Sequence, residues 1–306
     1  MAAAGTAART LTIGSRGSPL ALWQARHVAA RLDGLGVATR LEIIKTTGDH
    51  LQTASLMQAG GKGLFTKEIE EALLAGAIDL AVHSLKDLPT EMPPGLAIAA
   101  IPEREDPRDA MVGRRLDGLP QGARVGTSSG RRAAQLRVLR PDLNIASIRG
   151  NVDTRLRKVK EGQYDAIVLA AAGLRRLGLE DEIAEIFSPE QICPAPGQGA
   201  LAIETREADP AFDICASLNH EPARQAVACE RAVLAALGGG CQLPMGAFAE
   251  VLGDSLEAIA VVLSPDGLRH ARARAAGARG AAEQLGRAIA EDLIAQGARS
   301  ILAESK

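Results

Sequence analysis

One local pattern occurs twice in this chain: a short apolar strand, then a glycine, then a hydroxyl residue, then a helix. It occurs at Ile13-Gly14-Ser15 and again at Val125-Gly126-Thr127. Further along each copy, the apolar segments "IDLAVHS" and "YDAIVLA" occupy corresponding places. Because the elements come in the same order, the pattern predicts two βαβ-type domains of related build. The sequence leaves open the alternative that any two α/β segments look this similar.

The apolar residues suit helices packed on parallel sheets. The chain is 46% hydrophobic, with one Trp, one Tyr and four Phe, so its core is built from Ala, Leu, Ile and Val. This composition favours α/β layers over a β-sandwich. Two proline-containing stretches, Ile101 to Ala110 and Cys193 to Glu204, separate the two copies. Two crossings imply that the chain leaves a first domain and later returns to it, as in a hinged two-domain clamp.

From Pro222 onward, strands and helices come in a different order, with a turn at Ser264-Pro265-Asp266-Gly267. We therefore expect an α/β chain of two doubly wound domains joined by a two-strand hinge, plus a small α+β C-terminal domain. The predicted ranges are 9–102 with 198–217 for domain 1, 107–193 for the arginine-rich domain 2, and 222–306 for domain 3.

The sequence argues against several classes of protein. No apolar run reaches the ~18 residues of a membrane span. The start "MAAAGTAART" lacks the apolar stretch of a secretory signal, so we expect a cytoplasmic protein. The cysteines, at Cys193, Cys215, Cys229 and Cys241, form no C-x-x-C pair, and the five histidines do not cluster with them. Neither a metal site nor a disulfide framework is expected; reduced thiols, most of them buried, are the plainer interpretation.

Positive charge is concentrated in one segment, Gly126 to Lys158. The segment holds eight Arg or Lys and two Asp, whereas the whole chain has 35 basic and 37 acidic residues. Arg131, Arg132 and Arg155 fall in the first turns of predicted helices, where cations oppose the helix dipole by ~0.3–1 kcal/mol each. This placement indicates that an anion binds beside these arginines, since open α/β sheets bind ligands at helix N-termini and strand ends. A solvated charged face is the alternative.

Carboxylates are the anions that the sequence favours. A pI of 6.3 and the scarcity of aromatic side chains for base stacking argue against nucleic acid. The glycine-rich "GGKGLFTKE" lacks the spacing of a phosphate-binding G-x-x-x-x-G-K-[ST] loop. Arginine grips carboxylates bidentately, at ~1.5–3 kcal/mol per charged hydrogen bond. Several arginines therefore suggest a ligand with many carboxylates.

Two short motifs contain candidate catalytic residues. "HSLKDLP" follows a predicted strand and puts Asp87 beside Lys86, either as a positioned acid/base or as a carboxylate that stabilises a cationic intermediate. A turn-capping role is the alternative for Asp87. "GGGCQLPMG" puts Cys241 after three glycines, where nearby arginines would favour the thiolate and make it nucleophilic. A structural cysteine is the alternative there.

Together these pieces resemble the porphobilinogen deaminase (hydroxymethylbilane synthase) family, from about Leu11 to the C-terminal helix. Nine motifs follow the family order: "GSRGSPLALWQA", "GGKGLFTKEIE", "AVHSLKDLP", "EREDPRDA", "GTSSGRRAAQL", "SIRGNVDTRL", "YDAIVLAAAGLRRLGL", "PAPGQGALAIE" and "GGGCQLPMGA".

The resemblance implies two periplasmic-binding-protein-like domains and a third domain that carries a cysteine. It implies a transferase that joins four porphobilinogen molecules head to tail, loses ammonia at each step and releases hydroxymethylbilane. A dipyrromethane cofactor would be held by a thioether to Cys241, and Asp87 would be the catalytic residue that stabilises positive charge on pyrrole nitrogens. Each pyrrole carries an acetate and a propionate, which the arginines would bind.

The resemblance also assigns contacts to other residues. Cofactor contacts are expected from Ser84, Lys86, Asp87, Thr127, Ser129, Arg131, Arg132, Arg149 and Arg155. Substrate contacts are expected from Arg16, Ser18, Arg176 and Gln198. The expected partners are porphobilinogen and the growing oligopyrrole chain, with no nucleic acid and no membrane, and we expect a monomer.

Three positions depart from the family's motifs. Gln58 stands where lysine is frequent, Gly130 where leucine is common, and Gly238 where glutamate is frequent. The first would weaken one loop contact to the growing chain, and the second would loosen the helix start beside Arg131. A competing hypothesis is a non-catalytic two-domain carboxylate-binding protein. The enzyme is favoured because a simple clamp requires neither the third domain nor the GGGC loop.

Overall fold

The computed structural model describes residues 10–46, 66–238 and 243–304. In these ranges the strands are β1 Leu11–Ser15, β2 Thr39–Ile43, β3 Leu80–Ser84, β4 Leu96–Ala100, β5 Asp109–Gly113, β6 Arg124–Gly126, β7 Asn144–Ala146, β8 Ala166–Ala170, β9 Ile183–Ile186, β10 Leu201–Arg206, β11 Met245–Leu252, β12 Ser255–Leu263 and β13 His270–Ala278.

The helices of the same ranges are α1 Pro19–Asp33, α2 Lys67–Leu74, α3 Gly130–Leu139, α4 Val152–Lys160, α5 Ala171–Arg176, α6 Pro210–Ala216, α7 Glu221–Ala236, α8 Ala282–Ala295 and α9 Ala298–Ala303. Short 3-10 segments cover Leu85–Asp87, Glu180–Glu182 and Arg279–Ala281. Among the described residues, none of the helices has the length and apolar character needed to cross a bilayer.

The described residues fall into two compact units. Unit 1 draws on residues up to 83, on 91–102 and on 201–219, and unit 2 on 84–90, 103–200 and 220 onward. Unit 1 contains a five-stranded sheet in the order β2-β1-β3-β10-β4, in which β1 runs parallel to β2 and β3, and β10 runs antiparallel to β4.

Helices cover both faces of the unit 1 sheet. Leu80 and Val82 of β3 pack in one core cluster with residues of α1 and α6, whereas Ala81 packs in another cluster with residues of α2. Neighbouring residues of a strand point to opposite faces. The sheet is therefore doubly wound, as predicted.

Unit 2 contains a second five-stranded sheet, in the order β7-β6-β8-β5-β9. Strand β6 runs parallel to β7 and β8, and β5 runs antiparallel to β8 and β9. Ala166 and Val168 of β8 share a core with α3, whereas Ile167 and Leu169 share another with α4 and α5. This sheet is also covered on both faces, so the prediction of two doubly wound sheets is confirmed.

Equivalent contacts in the two sheets confirm the repeat. The N–H of Thr12 donates to the Asp79 carboxylate at 2.8 Å, and in the second sheet the N–H of Arg124 donates to the Asp165 carboxylate, also at 2.8 Å. These are the pairs that the match of "IDLAVHS" with "YDAIVLA" requires. The two copies therefore share local hydrogen bonds as well as element order.

The two matched glycines, Gly14 and Gly126, also have the same structural role. A Cβ on Gly14 would run into the side chain of Ile78, and a Cβ on Gly126 would lie 2.9 Å from both Ile167 and Tyr164. Ile78 and Tyr164 open the matched segments "IDLAVHS" and "YDAIVLA". Each glycine thus lets its strand pack closely against the first residue of the matched segment.

The C-terminal part of unit 2 is an antiparallel sheet, β11-β12-β13, covered by α7, α8 and α9. Its core is rich in small and branched side chains such as Ala260, Val262 and Ile289. The other face of β12 carries Ile259 and Val261, which pack against Ala134 of α3. The predicted α+β arrangement is present, and within unit 2 it packs directly on the helix that carries the arginine pair.

One element differs from the sequence-based expectation. Strand β5 begins inside the stretch Ile101 to Ala110, which was expected to separate the two copies. Strand β5 is short and lies between two strands from later in the chain. Local periodicity carries no signal for such a pairing, because it depends on distant partners.

Candidate active site

Lys86 and Asp87 lie in the 3-10 segment that directly follows β3. The N–H of Leu85 donates to the carbonyl of Ala200 at 3.0 Å, and the side chains of Leu85 and Leu88 are buried. These contacts hold the turn, which leaves Lys86 half-buried and Asp87 exposed. The motif therefore presents an accessible carboxylate beside an amine at the carboxyl end of a strand. Ser84, the last residue of β3, is half-buried.

The start of α3 brings two arginines to adjacent positions. Ser129 caps the helix by accepting a hydrogen bond from the N–H of Arg132 at 3.4 Å, and the Thr127 hydroxyl accepts one from the N–H of Ser129 at 3.2 Å. Such caps satisfy N–H groups that have no partner within the helix. Two hydroxyls that were predicted to contact a cofactor thus also shape the loop that positions Arg131 and Arg132.

Asp109, the first residue of β5, holds both arginines. Arg131 Nη1 donates to Asp109 Oδ2 at 2.6 Å, and Arg132 Nε donates to Asp109 Oδ1 at 2.8 Å. Arg131 also donates to the Cys193 carbonyl at 2.5 Å, and Arg132 Nη1 to the Val168 carbonyl at 3.2 Å. Asp109 is 0% exposed and the arginines are 4% and 7% exposed. The two guanidinium groups are therefore fixed by a buried carboxylate.

Gln198 connects this ion pair to Lys86. Its Nε2 donates to Asp109 Oδ1 at 2.9 Å and to the Pro107 carbonyl at 2.7 Å. Its Oε1 accepts from Arg132 Nη2 at 3.3 Å and from Lys86 Nζ at 3.5 Å. The Nε2 donor of Gln198 thus faces two acceptors, and its Oε1 acceptor faces two cationic donors. We call this hydrogen-bonded group the Asp109 array; its members are Lys86, Asp109, Arg131, Arg132 and Gln198.

The Asp109 array has an excess of positive charge. Burial opposes ionisation of Asp109, but attraction by Arg131 and Arg132 outweighs it and holds the pKa of the carboxyl well below its usual range. Burial and then repulsion by Arg132 lower the pKa of Lys86 to about 8, while Asp87 and Asp109 act in the opposite direction. Burial also lowers the pKa of Arg132. An anion that entered the array would relieve this repulsion.

Arg155 and Arg149 lie near the start of α4. Arg155 Nε donates to the carbonyl of Gly150 at 2.8 Å, and burial, followed by repulsion from Arg132, lowers its pKa. Arg155 is therefore within electrostatic reach of the Asp109 array. Arg149 is exposed, and its carbonyl accepts a hydrogen bond from Lys158.

Arg176, at the end of α5, is buried. Its Nη2 donates to the carbonyl of Gly199 at 2.6 Å, and burial lowers its pKa to about 10. Gly199 directly follows Gln198 in the chain. Arg176 and the Asp109 array are thus attached to adjacent residues of the "PAPGQG" loop.

The remaining predicted residues lie elsewhere. Arg16 and Ser18 belong to unit 1; Arg16 is half-buried, and the Ser18 hydroxyl caps α1 by accepting from the N–H of Ala21 at 3.3 Å. Cys241 and Gln58 lie outside the described residues.

Asp109 was missed by the sequence-based reasoning, although the motif "EREDPRDA" that contains it was noted. Each buried arginine requires a counter-charge, so a search for acids that pair with Arg131 and Arg132 was the available signal. Several acids of the motif satisfied that search equally, and the strand pairing of β5 decides among them.

A second buried carboxylate in unit 2, Glu230 on α7, was also missed. It is 1% exposed and accepts from Arg104 Nη1 at 2.7 Å and Arg104 Nη2 at 3.0 Å. It also accepts from the N–H of Gly197 at 2.6 Å and of Ala249 at 2.8 Å. Glu230 therefore ties together the "EREDP" stretch, the "PAPGQG" loop and β11.

Two family models match most of the chain. The model described as porphobilinogen deaminase, dipyromethane cofactor binding domain, matches residues 11–213, and the one described as porphobilinogen deaminase, C-terminal domain, matches residues 224–295. The chain belongs to the porphobilinogen deaminase family. The resemblance that the nine motifs predicted is thereby confirmed.

Relatives named porphobilinogen deaminase match at about half of all positions. The protein of Geobacter metallireducens is 50% identical over 303 residues, which cover 97% of this chain and 95% of that protein. The protein of a Roseiflexus species is 51% identical over 301 residues, 96% of this chain and 99% of that protein.

Solved structures of binding proteins also resemble the chain. The methionine binding protein MetQ is 13% identical, with a TM-score of 0.43, over 71% of this chain and 90% of that chain. A periplasmic substrate-binding protein of an ABC transporter from Coxiella burnetii is 15% identical, with a TM-score of 0.42, over 72% of this chain and 96% of that chain. Membership of the porphobilinogen deaminase family rests on the sequence matches.

Proposed function

We propose that this chain is a hydroxymethylbilane synthase. It joins four porphobilinogen molecules head to tail, loses ammonia at each step and releases hydroxymethylbilane. The observation that carries the proposal is the 50% identity to a porphobilinogen deaminase over 97% of the chain. The Asp109 array supports it separately, because an excess of buried positive charge suits a substrate that carries an acetate and a propionate on each ring.

The residues of the array fit a dipyrromethane cofactor. When bound, this group supplies the fixed end to which the pyrrole units are added. Lys86, Arg131 and Arg132 bring three cationic groups to a place where Asp109 supplies the buried counter-charge. Charged hydrogen bonds to carboxylates contribute about 1.5–3 kcal/mol each. The chain's part is to bind those carboxylates and so orient the rings.

Cys241 is the residue we assign to the covalent attachment, through a thioether. The other three cysteines support this choice: Cys193, Cys215 and Cys229 are free and buried, and burial raises the pKa of each thiol to about 12. At neutral pH they stay protonated, and a thiol must lose its proton to act as a nucleophile.

Asp87 is the residue we assign to catalysis. Its exposed carboxylate follows Lys86 in the turn after β3, where a substrate can reach it. A fixed negative charge there stabilises the positive charge that develops on the pyrrole nitrogen as ammonia leaves. Asp87→Asn keeps the shape and removes the charge, so ammonia release should collapse while the enzyme retains its cofactor. Near-normal ammonia release from this variant would contradict the assignment.

The remaining arginines are assigned to the carboxylates of the ligand. In unit 2, Arg155 is close enough to Arg132 to be repelled by it, and Arg176 is attached to the carbonyl beside Gln198. We assign Arg149 and, in unit 1, Arg16 and Ser18 to the same task. Ser84, Thr127 and Ser129 would add hydroxyl donors.

We further propose the three-domain division 9–102 with 198–217, 107–193 and 222–306, which the three separate sheets support.

The free thiols of the described cysteines suit a reducing compartment, so we assign the protein to the cytoplasm. We propose that it acts there as a monomer, without nucleic acid or membrane. Sedimentation of the purified chain as a single species at the mass of two or more copies would contradict the monomer.

Stoichiometry tests the function directly. The purified full chain is incubated with porphobilinogen, and substrate loss, ammonia and the tetrapyrrole product are measured together. We expect four substrate molecules and four ammonia molecules for each hydroxymethylbilane. Binding of porphobilinogen without ammonia release would instead indicate a non-catalytic carboxylate-binding protein.

A further inference from the structure

We propose that Asp109 is a positioning residue: its two carboxylate oxygens, with the Gln198 amide as a link, hold Arg131, Arg132 and Lys86 as one array that binds carboxylates of the pyrrole ligand. The identity of that ligand rests on the proposed function. Asp109 is fully buried, so it acts on the ligand only through the side chains that it holds.

The contacts of Asp109 fix both guanidinium planes. Oδ2 accepts from Arg131, and Oδ1 accepts from Arg132 Nε and from Gln198 Nε2. Arg132 also has protein partners for Nη1 and Nη2. Paired charged hydrogen bonds set the plane of a guanidinium as well as its distance. The array is therefore oriented before a ligand arrives, which reduces the ordering that binding requires.

Asp109 also acts on the charge of Lys86. The groups around the Lys86 amine are Asp87 on the same turn, Asp109 on β5, and Arg131 and Arg132 on α3. The two carboxylates favour the ammonium form and the two arginines oppose it. Loss of the Asp109 charge leaves the repulsion from the arginines less compensated. The amine should then lose its proton at a lower pH, an effect that a purely structural residue would not produce.

Amine labelling of the full-length chain tests this effect. Lys86 is acylated with limiting acetic anhydride across neutral and alkaline pH, and its modified peptide is measured by mass spectrometry. In cofactor-free chains we expect a midpoint of about 8 for the wild type and a lower one for Asp109→Asn. Asp142→Asn is the control, because it removes the charge of the carboxylate that pairs with Arg140 in unit 2, outside the array, and its midpoint should equal that of the wild type. An unchanged midpoint in Asp109→Asn overturns the proposal.

Cofactor loading tests the effect on binding. The cofactor-free chain is incubated with graded porphobilinogen for a fixed time, and the loaded fraction is counted by intact mass. For Asp109→Asn, the porphobilinogen concentration that loads half of the chains should rise by roughly tenfold or more, since one charged hydrogen bond is worth at least this factor. An unchanged half-loading concentration would overturn the positioning role.

If Asp109→Asn does not fold, Gln198→Leu replaces it. This variant keeps the ion pair of Asp109 with both arginines and removes the oxygen that accepts from Lys86 Nζ. The labelling midpoint of Lys86 should again fall, and an unchanged midpoint overturns the proposal. Labelling requires no turnover, so it is independent of the proposed function. Absence of turnover in the wild type would refute the function and leave the labelling result standing.

Discussion

Replacing Arg104 with methionine should destabilise the protein strongly. The Glu230 side chain is fully buried and takes two hydrogen bonds from the Arg104 guanidinium, at 2.7 and 3.0 Å. After the change, the donors that remain to the carboxylate among the described residues are the backbone N–H groups of Gly197 and Ala249. Removing one partner of a buried ion pair costs about 3–5 kcal/mol, because the other charge stays buried without compensation. Native proteins have about 5–15 kcal/mol of stability in total, so the loss is a large share.

Guanidinium chloride unfolding of the full chain measures this loss. The control is Arg287→Met, which breaks an exposed i,i+4 pair with Glu283 and should cost about 0.3–0.5 kcal/mol. A double variant that combines Arg104→Met with Glu230→Gln should be more stable than Arg104→Met alone, since no buried charge remains and the amide oxygen still accepts from a backbone N–H. The reasoning is refuted if Arg104→Met unfolds within about 1 kcal/mol of the wild type, or if the double variant is the less stable of the two.

Three further changes test individual features. Relative to Lys86→Met, the cofactor-free wild type should gain stability as pH rises from about 8 toward the ordinary lysine pKa of about 10.4, because unfolded Lys86 still binds a proton there and folded Lys86 does not; a pH-independent difference in unfolding free energy would contradict this. Gly130→Ala should stabilise the start of α3 by about 0.4–1 kcal/mol in denaturant unfolding, since a Cβ there meets no atom within 4 Å, and a loss of stability would show that the site is constrained. Gly238→Glu should lower the free energy of unfolding by about 1–2 kcal/mol, because Gly238 has a φ of +106°; an unchanged melting temperature would refute this.

The repeated plan of the fold could be predicted from the sequence because its signals are local. Gly14 and Gly126 each follow a strand residue and precede a hydroxyl and a helix start. In the structure Ser18 and Ser129 are the N-caps of the helices that directly follow them. Such signals depend on residues a few places apart, so they survive without knowledge of the tertiary structure.

The ion pairs of Arg131 and Arg132 with Asp109 could not be predicted in the same way. Asp109 meets Arg131 and Arg132 because β5 inserts antiparallel between β8 and β9, and β10 is likewise placed beside β4 in the other sheet. These pairings join segments that are distant in sequence. The predicted ligand-binding arginines therefore turned out to have an internal carboxylate partner, which local patterns do not reveal.

Intact mass spectrometry of the wild type and of Cys241→Ser tests the central claim most directly. Chains from cells that make porphobilinogen should exceed the sequence mass by two pyrrole units, and added porphobilinogen should extend the adduct by whole units. The Cys241→Ser chain should have the sequence mass. A wild-type chain without an adduct, or an adduct that persists in Cys241→Ser, would contradict the account.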